Sequence, residues 1–123
     1  MRYHKEVFFS DKHKEDIISL TYTLNGKAWR YTSHALDNAR LRVVNLEQLL
    51  YYIKNELKLN ADDVFEFYTD GENNIDRLCY RFTFSKVYDV ILVIGLNKEI
   101  ITIYINAVID KHNTLKKNLY CTA

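Results

Sequence analysis

His34 opens the segment Ser33-His34-Ala35-Leu36-Asp37-Asn38-Ala39-Arg40-Leu41-Arg42. On a helix turning 100° per residue, Asn38 and Arg42 fall within about 80° of it, and Leu36, Ala39 and Val43 take the opposite side. That places the imidazole toward solvent or a cleft. A helix N-terminus disfavours the imidazolium, so the ring stays neutral and able to take a proton near pH 7. The residue reads either as a general acid or base or as a surface or capping histidine. A second cluster is Asp110-Lys111-His112 with Thr114. It reads as an oriented acid/base pair, a metal half-site, or a turn in which Asp110, Asn113 and Thr114 make local hydrogen bonds. A metal needs at least three converging ligands and the sequence spaces no third one, so no metal site is expected.

A third set lies on strand-like segments. Arg81 and Thr83 of one and Thr102, Tyr104 and Asn106 of another share a predicted sheet face, where a guanidinium fork, hydroxyls and an aromatic ring suit phosphate binding and base stacking. An open sheet face wetted by water gives the same pattern, and Arg81 has Glu66 as an alternative partner across the sheet. The sequence carries no GxSxG, Walker, GxGxxG or HExxH motif, and no cofactor is expected. Cys79 and Cys121 form one bridge at most, lie in no nucleophile setting, and suit a reducing cytosol.

These residues need elements to hold them. Residues 17–24 place Ile18, Leu20, Tyr22 and Leu24 on one face of a strand, and Asn25-Gly26 is a two-residue hairpin signal returning through 27–32. Thr32-Ser33 supplies an N-cap for a helix over 34–43. Asn45 with Gln48 resembles a capping pair for a second helix carrying Leu46, Leu49, Leu50, Ile53 and Leu57 as a stripe. The pattern then switches to period two over 64–69, 77–85, 89–96 and 99–107, with short links that favour an antiparallel meander. Segment 89–96 is apolar on both faces and so central. In the last strand Ile101, Ile103 and Ile105 face the helices, and Thr102, Tyr104 and Asn106 the other way. The expected fold is a single α+β domain over 1–123: an N-terminal hairpin region (1–32), two helices (33–58), a four-stranded antiparallel sheet (63–107) and a C-terminal tail (108–123).

Composition bounds the function. A chain of 123 residues with 48% hydrophobic and 14% aromatic content is one ordered domain, too short for a two-lobed enzyme. The longest apolar run, 90–96, is far too short to cross a bilayer, and the charged N-terminus is no secretory signal. A net charge of +1 excludes histone-like basicity, yet it divides into +3 over 1–42, −4 over 43–99 and +2 over 100–123. Both candidate histidines fall in the positive ends.

Residues 33–42, 80–94 and 102–115 together resemble the barnase–EndoU–colicin–RelE-like (BECR) superfamily of small endoribonuclease folds, and within it short phage and prophage proteins. The likeness rests on His34-Ala35 opening a helix with Ala39 and Arg42 after it, and on a last strand reading Thr102-Ile103-Tyr104. It covers about residues 30–115. It implies metal-independent RNA cleavage by 2′-OH attack on phosphorus in a bacterial cytoplasm. His34 would be the acid/base group, Arg42 or Arg40 the phosphate ligand, Thr102 and Tyr104 the last-strand polar positions, with His112 a second proton-transfer group if the tail folds back. RNA binding without cleavage is the milder form of this expectation. The alternative is a non-enzymatic phage-encoded protein that inhibits a host enzyme or defence system, docking through an acidic middle of Asp62, Asp63, Glu66, Asp70, Glu72 and Asp76. A structural homodimer paired through edge strands 64–69 or 27–32 is a third expectation.

Overall fold

Ser10 closes the amino end of the first helix: its hydroxyl accepts the His13 amide at 3.1 Å and its carbonyl accepts the Lys14 amide at 3.0 Å. The helix it starts, α1 (Asp11–Leu24), occupies the segment expected as a strand and hairpin. The computed structural model describes residues 3–4, 10–25, 28–43, 45–72, 74–86 and 88–107. Within α1 the buried residues are His13, Ile17, Thr21 and Leu24, a helical spacing that the alternation Ile18, Leu20, Tyr22, Leu24 obscured. Ile18 and Tyr22 instead face water, 52% and 83% exposed. Burying Ile17 and Leu24 contributes about 1.5–3 kcal/mol each, which outweighs the β-preference of the Ile, Thr and Tyr residues around them.

Asn25 ends α1 rather than turning a hairpin. Its amide donates to the Thr21 carbonyl, and its side chain brackets Leu59, accepting the Leu59 amide at 2.7 Å and donating to the Leu59 carbonyl at 3.0 Å. The expected return strand shrinks to β2 (Arg30–Tyr31). Thr32 then serves two elements at once. Its hydroxyl accepts the Ala35 amide at 3.0 Å, capping α2 (Ser33–Arg42), and donates to the Ile101 carbonyl at 2.8 Å. Ala35 and Ala39 are fully buried, and their short side chains let α2 lie closely over the sheet. In α3 (Leu46–Asn55), Leu49 and Ile53 are buried as expected, but the Asn45 side chain makes no capping bond. Tyr52 of this helix stacks on Phe82, ring centres 5.2 Å apart.

A 3₁₀ turn (Ala61–Asp63) leads into four long strands, β3 (Val64–Thr69), β4 (Ile75–Thr83), β5 (Tyr88–Gly95) and β6 (Glu99–Ala107). Their antiparallel meander is as expected. The whole sheet is mixed and wider, because β1 (Tyr3–His4) pairs antiparallel with β3, and β2 pairs parallel with β6. The order is β1-β3-β4-β5-β6-β2, with the doubly apolar β5 interior. All three helices share one core with Val64, Phe67, Leu78, Val90, Leu92, Ile94, Ile100 and Ile103 on one sheet face. Phe65, Cys79, Ile91 and Val93 form a separate buried cluster on the other.

One register change corrects the reading of the last strand. Val93 faces Thr102 but Ile94 faces Ile100, which leaves Ile101 as the extra residue of a β-bulge. Ile103 and Ile105 lie against the helices as expected, joined by Ile100. Ile101 crosses to the opposite face and packs with Tyr104 against the second cluster. Among the described residues no helix is long and apolar enough to cross a membrane.

Candidate functional site

The first turn of α2 holds His34 outward, because Ala35 and Ala39 take the inward positions. The ring is exposed, and its Nε2 lies 3.1 Å from Asn38 Nδ2, a contact that the neutral imidazole makes as acceptor. Arg40 and Arg42 are also exposed. Arg40 is engaged by Asp37, Nη1 to Oδ1 at 3.2 Å, a surface pair of little energetic weight. Arg42 sits in the last turn, where its charge complements the helix dipole, and it makes no ion pair among the described residues. His34 and Arg42 share a side of the helix but lie eight residues, about 12 Å, apart along its axis.

Arg81 lies on the far sheet face, between Tyr80 and Phe82, which both turn toward the helix-side core. Its Nε donates to Asp89 Oδ2 at 2.7 Å, and the two side chains are only 13% and 10% exposed. The strand register brings the two together: Arg81 is opposite Ile91, which puts Asp89 on the adjacent diagonal of the same face, while Glu66, opposite Cys79, is on the other flank. The open cleft beside this pair, about 460 Å³, is also lined by Asp62, Asp63 and Thr83. Three carboxylates around one committed guanidinium repel a phosphate. Thr102 and Tyr104 share that far face with Arg81. Burial pushes the Tyr104 hydroxyl up to about 12, helped by Cys79, Glu66 and Tyr68 and opposed by Arg81. Burial, and after it the Glu66 carboxylate, likewise drives the Cys79 thiol far above its ordinary value, so it is no nucleophile.

The structure therefore divides the expected site. His34, Arg40 and Arg42 lie on the water side of the helix layer; Arg81, Thr102 and Tyr104 lie across the sheet. His112 falls outside the described residues. His13, whose side chain is described, is a core residue with its ring centre 4.8 Å from that of Phe67. The acidic stretch is divided too. Asp62 and Asp63 precede β3, Asp70 and Glu72 follow it about 20 Å away, and Glu66 is buried between them. Asp70 works locally: its Oδ1 accepts the amides of Glu72 at 2.8 Å and Asn74 at 3.0 Å, and those bonds lower its pKa. No group of three or more metal-ligating side chains occurs among the described residues.

The sequence reading passed over a second cleft. It opens between the carboxyl end of α3 and the β5–β6 turn, has a volume of about 480 Å³, and is lined by Trp29, Lys54, Lys58 and Lys98 among others. Lys98 Nζ lies 4.3 Å from the centre of the Trp29 ring. A lysine in the turn Asn97-Lys98 and a lone tryptophan in 27–32 were the signals, but nothing in their spacing tied them together.

The protein is of the α+β class, its described residues forming a six-stranded mixed sheet with the helices on one face. No family model matches the chain, and no curated protein and no solved structure matches it either.

Proposed function

We propose that this protein binds RNA and does not cleave it. Transesterification needs a base at the 2′-OH and an acid at the leaving oxygen, both within hydrogen-bond reach of one phosphate. The observation that carries the reading is the division of the site. The sheet separates His34 from Arg81, Thr102 and Tyr104, and the backbone of Arg42 lies about 12 Å along the helix axis from that of His34. Among the groups open to water are Arg42 in the last turn of α2, Lys54 in the last turn of α3 and Lys58 just past it. Such side chains neutralise phosphates without any chemistry. The test incubates a labelled single-stranded RNA of mixed sequence with the protein in magnesium-free buffer. The reading expects retention that weakens with salt and RNA of unchanged length. Cut RNA, or RNA that is never retained, overturns it.

A second reading, docking to a protein, is favoured by Ile18 and Tyr22, exposed one turn apart on α1. It expects a complex whose stability varies little with salt and is lost in Ile18→Ser/Tyr22→Ser.

A further inference from the structure

Lys98 departs from ordinary lysine behaviour in two independent respects. It adopts φ 65°, the left-handed region that a β-turn normally gives to Gly or Asn. The turn is closed by the Lys98 amide donating to the Gly95 carbonyl at 3.2 Å, so the conformation is built into the hairpin. It is also 3% exposed, with its ammonium over the Trp29 ring. A strained, desolvated lysine at a site where glycine satisfies the backbone is a functional signal.

Its surroundings define what the cleft accepts. Lys54, in the last turn of α3, and Lys58, just past it, add two cations on the wall facing Lys98, against the single carboxylate of Glu56. Arg30 brings a fourth cation to the turn, its Nη2 donating to the Asn97 carbonyl at 3.0 Å. On the same wall as Lys54 and Lys58, α3 ends. The Glu56 and Leu57 amides both bond the Tyr52 carbonyl, so the last carbonyls of the helix, at residues 53–55 along the cleft, have no amide of the next turn. Those carbonyls accept from hydroxyl or amino donors. The indole adds an aromatic surface, and about 480 Å³ accommodates a mononucleotide.

We propose that this cleft binds a phosphorylated nucleoside: Lys98, Lys54 and Lys58 hold the phosphate, Trp29 flanks the base, and the α3 carbonyls accept from sugar hydroxyls. The inference deepens the RNA-binding reading and rests on it for its biological meaning, since the ligand would be one nucleotide unit of the chain.

Trp29 is the only tryptophan, so its fluorescence reports on this cleft alone. The experiment titrates the full chain with AMP, adenosine and inorganic phosphate, each followed by Trp29 emission. The expected result is a saturable change with AMP that weakens with salt, and much weaker responses to adenosine and phosphate. Lys98→Asn keeps a residue tolerant of the left-handed backbone, and Lys54→Glu/Lys58→Glu alters only exposed positions. Each is expected to weaken AMP binding by about tenfold or more. No saturable response to AMP, an equal response to adenosine or to phosphate, or AMP binding unchanged in Lys54→Glu/Lys58→Glu overturns the inference. RNA retention measured in parallel separates the two claims. Retained RNA without an AMP response refutes the cleft alone, and an AMP response without RNA retention refutes the RNA reading alone.

Discussion

Arg81 and Asp89 form a largely buried ion pair on the sheet face away from the helices, Nε to Oδ2 at 2.7 Å. The guanidinium that looked like a phosphate ligand in sequence thus already has a carboxylate in place. Asp89 Oδ1 is itself buried without a hydrogen-bond partner among the described residues, so the carboxylate depends heavily on Arg81. Arg81→Met is therefore expected to destabilise the fold by about 3–5 kcal/mol, and Arg81→Met/Asp89→Leu to recover most of that loss. Urea denaturation of the two variants checks this; a double variant no more stable than the single one contradicts it.

Asn25 acts at a distance in sequence through its two bonds to Leu59, holding the end of α1 beside the segment that enters β3. Asn25→Ala leaves the buried Leu59 backbone groups unpaired and is expected to cost about 2–3 kcal/mol. Asn25→Asp keeps the acceptor and loses the donor, so its melting temperature is expected between those of wild type and Asn25→Ala.

The misreading of this region shows what a sequence withholds. Strands β3 and β6 were legible to the residue, because Val64–Thr69 and Glu99–Ala107 carry β-branched and aromatic residues between clear turns. Helices α2 and α3 were legible from Thr32 and from the Leu49–Ile53 spacing. Segment 17–24 offered two periods at once, and Ser10, the cap that decides between them, lies well upstream of it. The bulge at Ile101 has no local signature, because a bulge is a property of two strands. The division of the candidate site follows from the same limit. Helix periodicity gave the outward direction of His34, and strand alternation gave the shared face of Arg81 and Tyr104. The isoleucines of the last strand marked the face the helices cover, but neither period says how far His34 lies from the Arg81 face. The Trp29–Lys98 contact joins residues 69 positions apart and was invisible for that reason.

Tyr80 makes stability sensitive to alkaline pH. Its hydroxyl accepts the Asn60 amide at 3.1 Å and shares its proton between the Lys58 carbonyl and Asp63 Oδ2, and burial pushes its pKa up to about 12. A folded-state value above the unfolded one near 10 means that the contribution is complete below pH 10. It is lost as pH rises from 10 to 12, where the unfolded chain releases the proton first. Tyr104 adds to the same window. Thermal melts between pH 8 and 12 are expected to fall steeply above pH 10, and less steeply in Tyr80→Phe. A profile flat to pH 12 contradicts this.

On α2, charge and not proton transfer is expected to matter. Arg42→Glu is expected to lower RNA affinity several-fold at low salt and to reduce the salt slope by about 1, while His34→Ala leaves both nearly unchanged. Filter binding at several salt concentrations reads both quantities. A larger loss from His34→Ala than from Arg42→Glu is the contrary outcome.

The central claim is that this fold holds RNA without cutting it. The most direct measurement is end-labelled single-stranded RNA incubated with excess protein and run in parallel on native and denaturing gels. The account predicts RNA that is shifted on the native gel and full-length on the denaturing gel. Shortened RNA on the denaturing gel, restored to full length by His34→Ala, contradicts it.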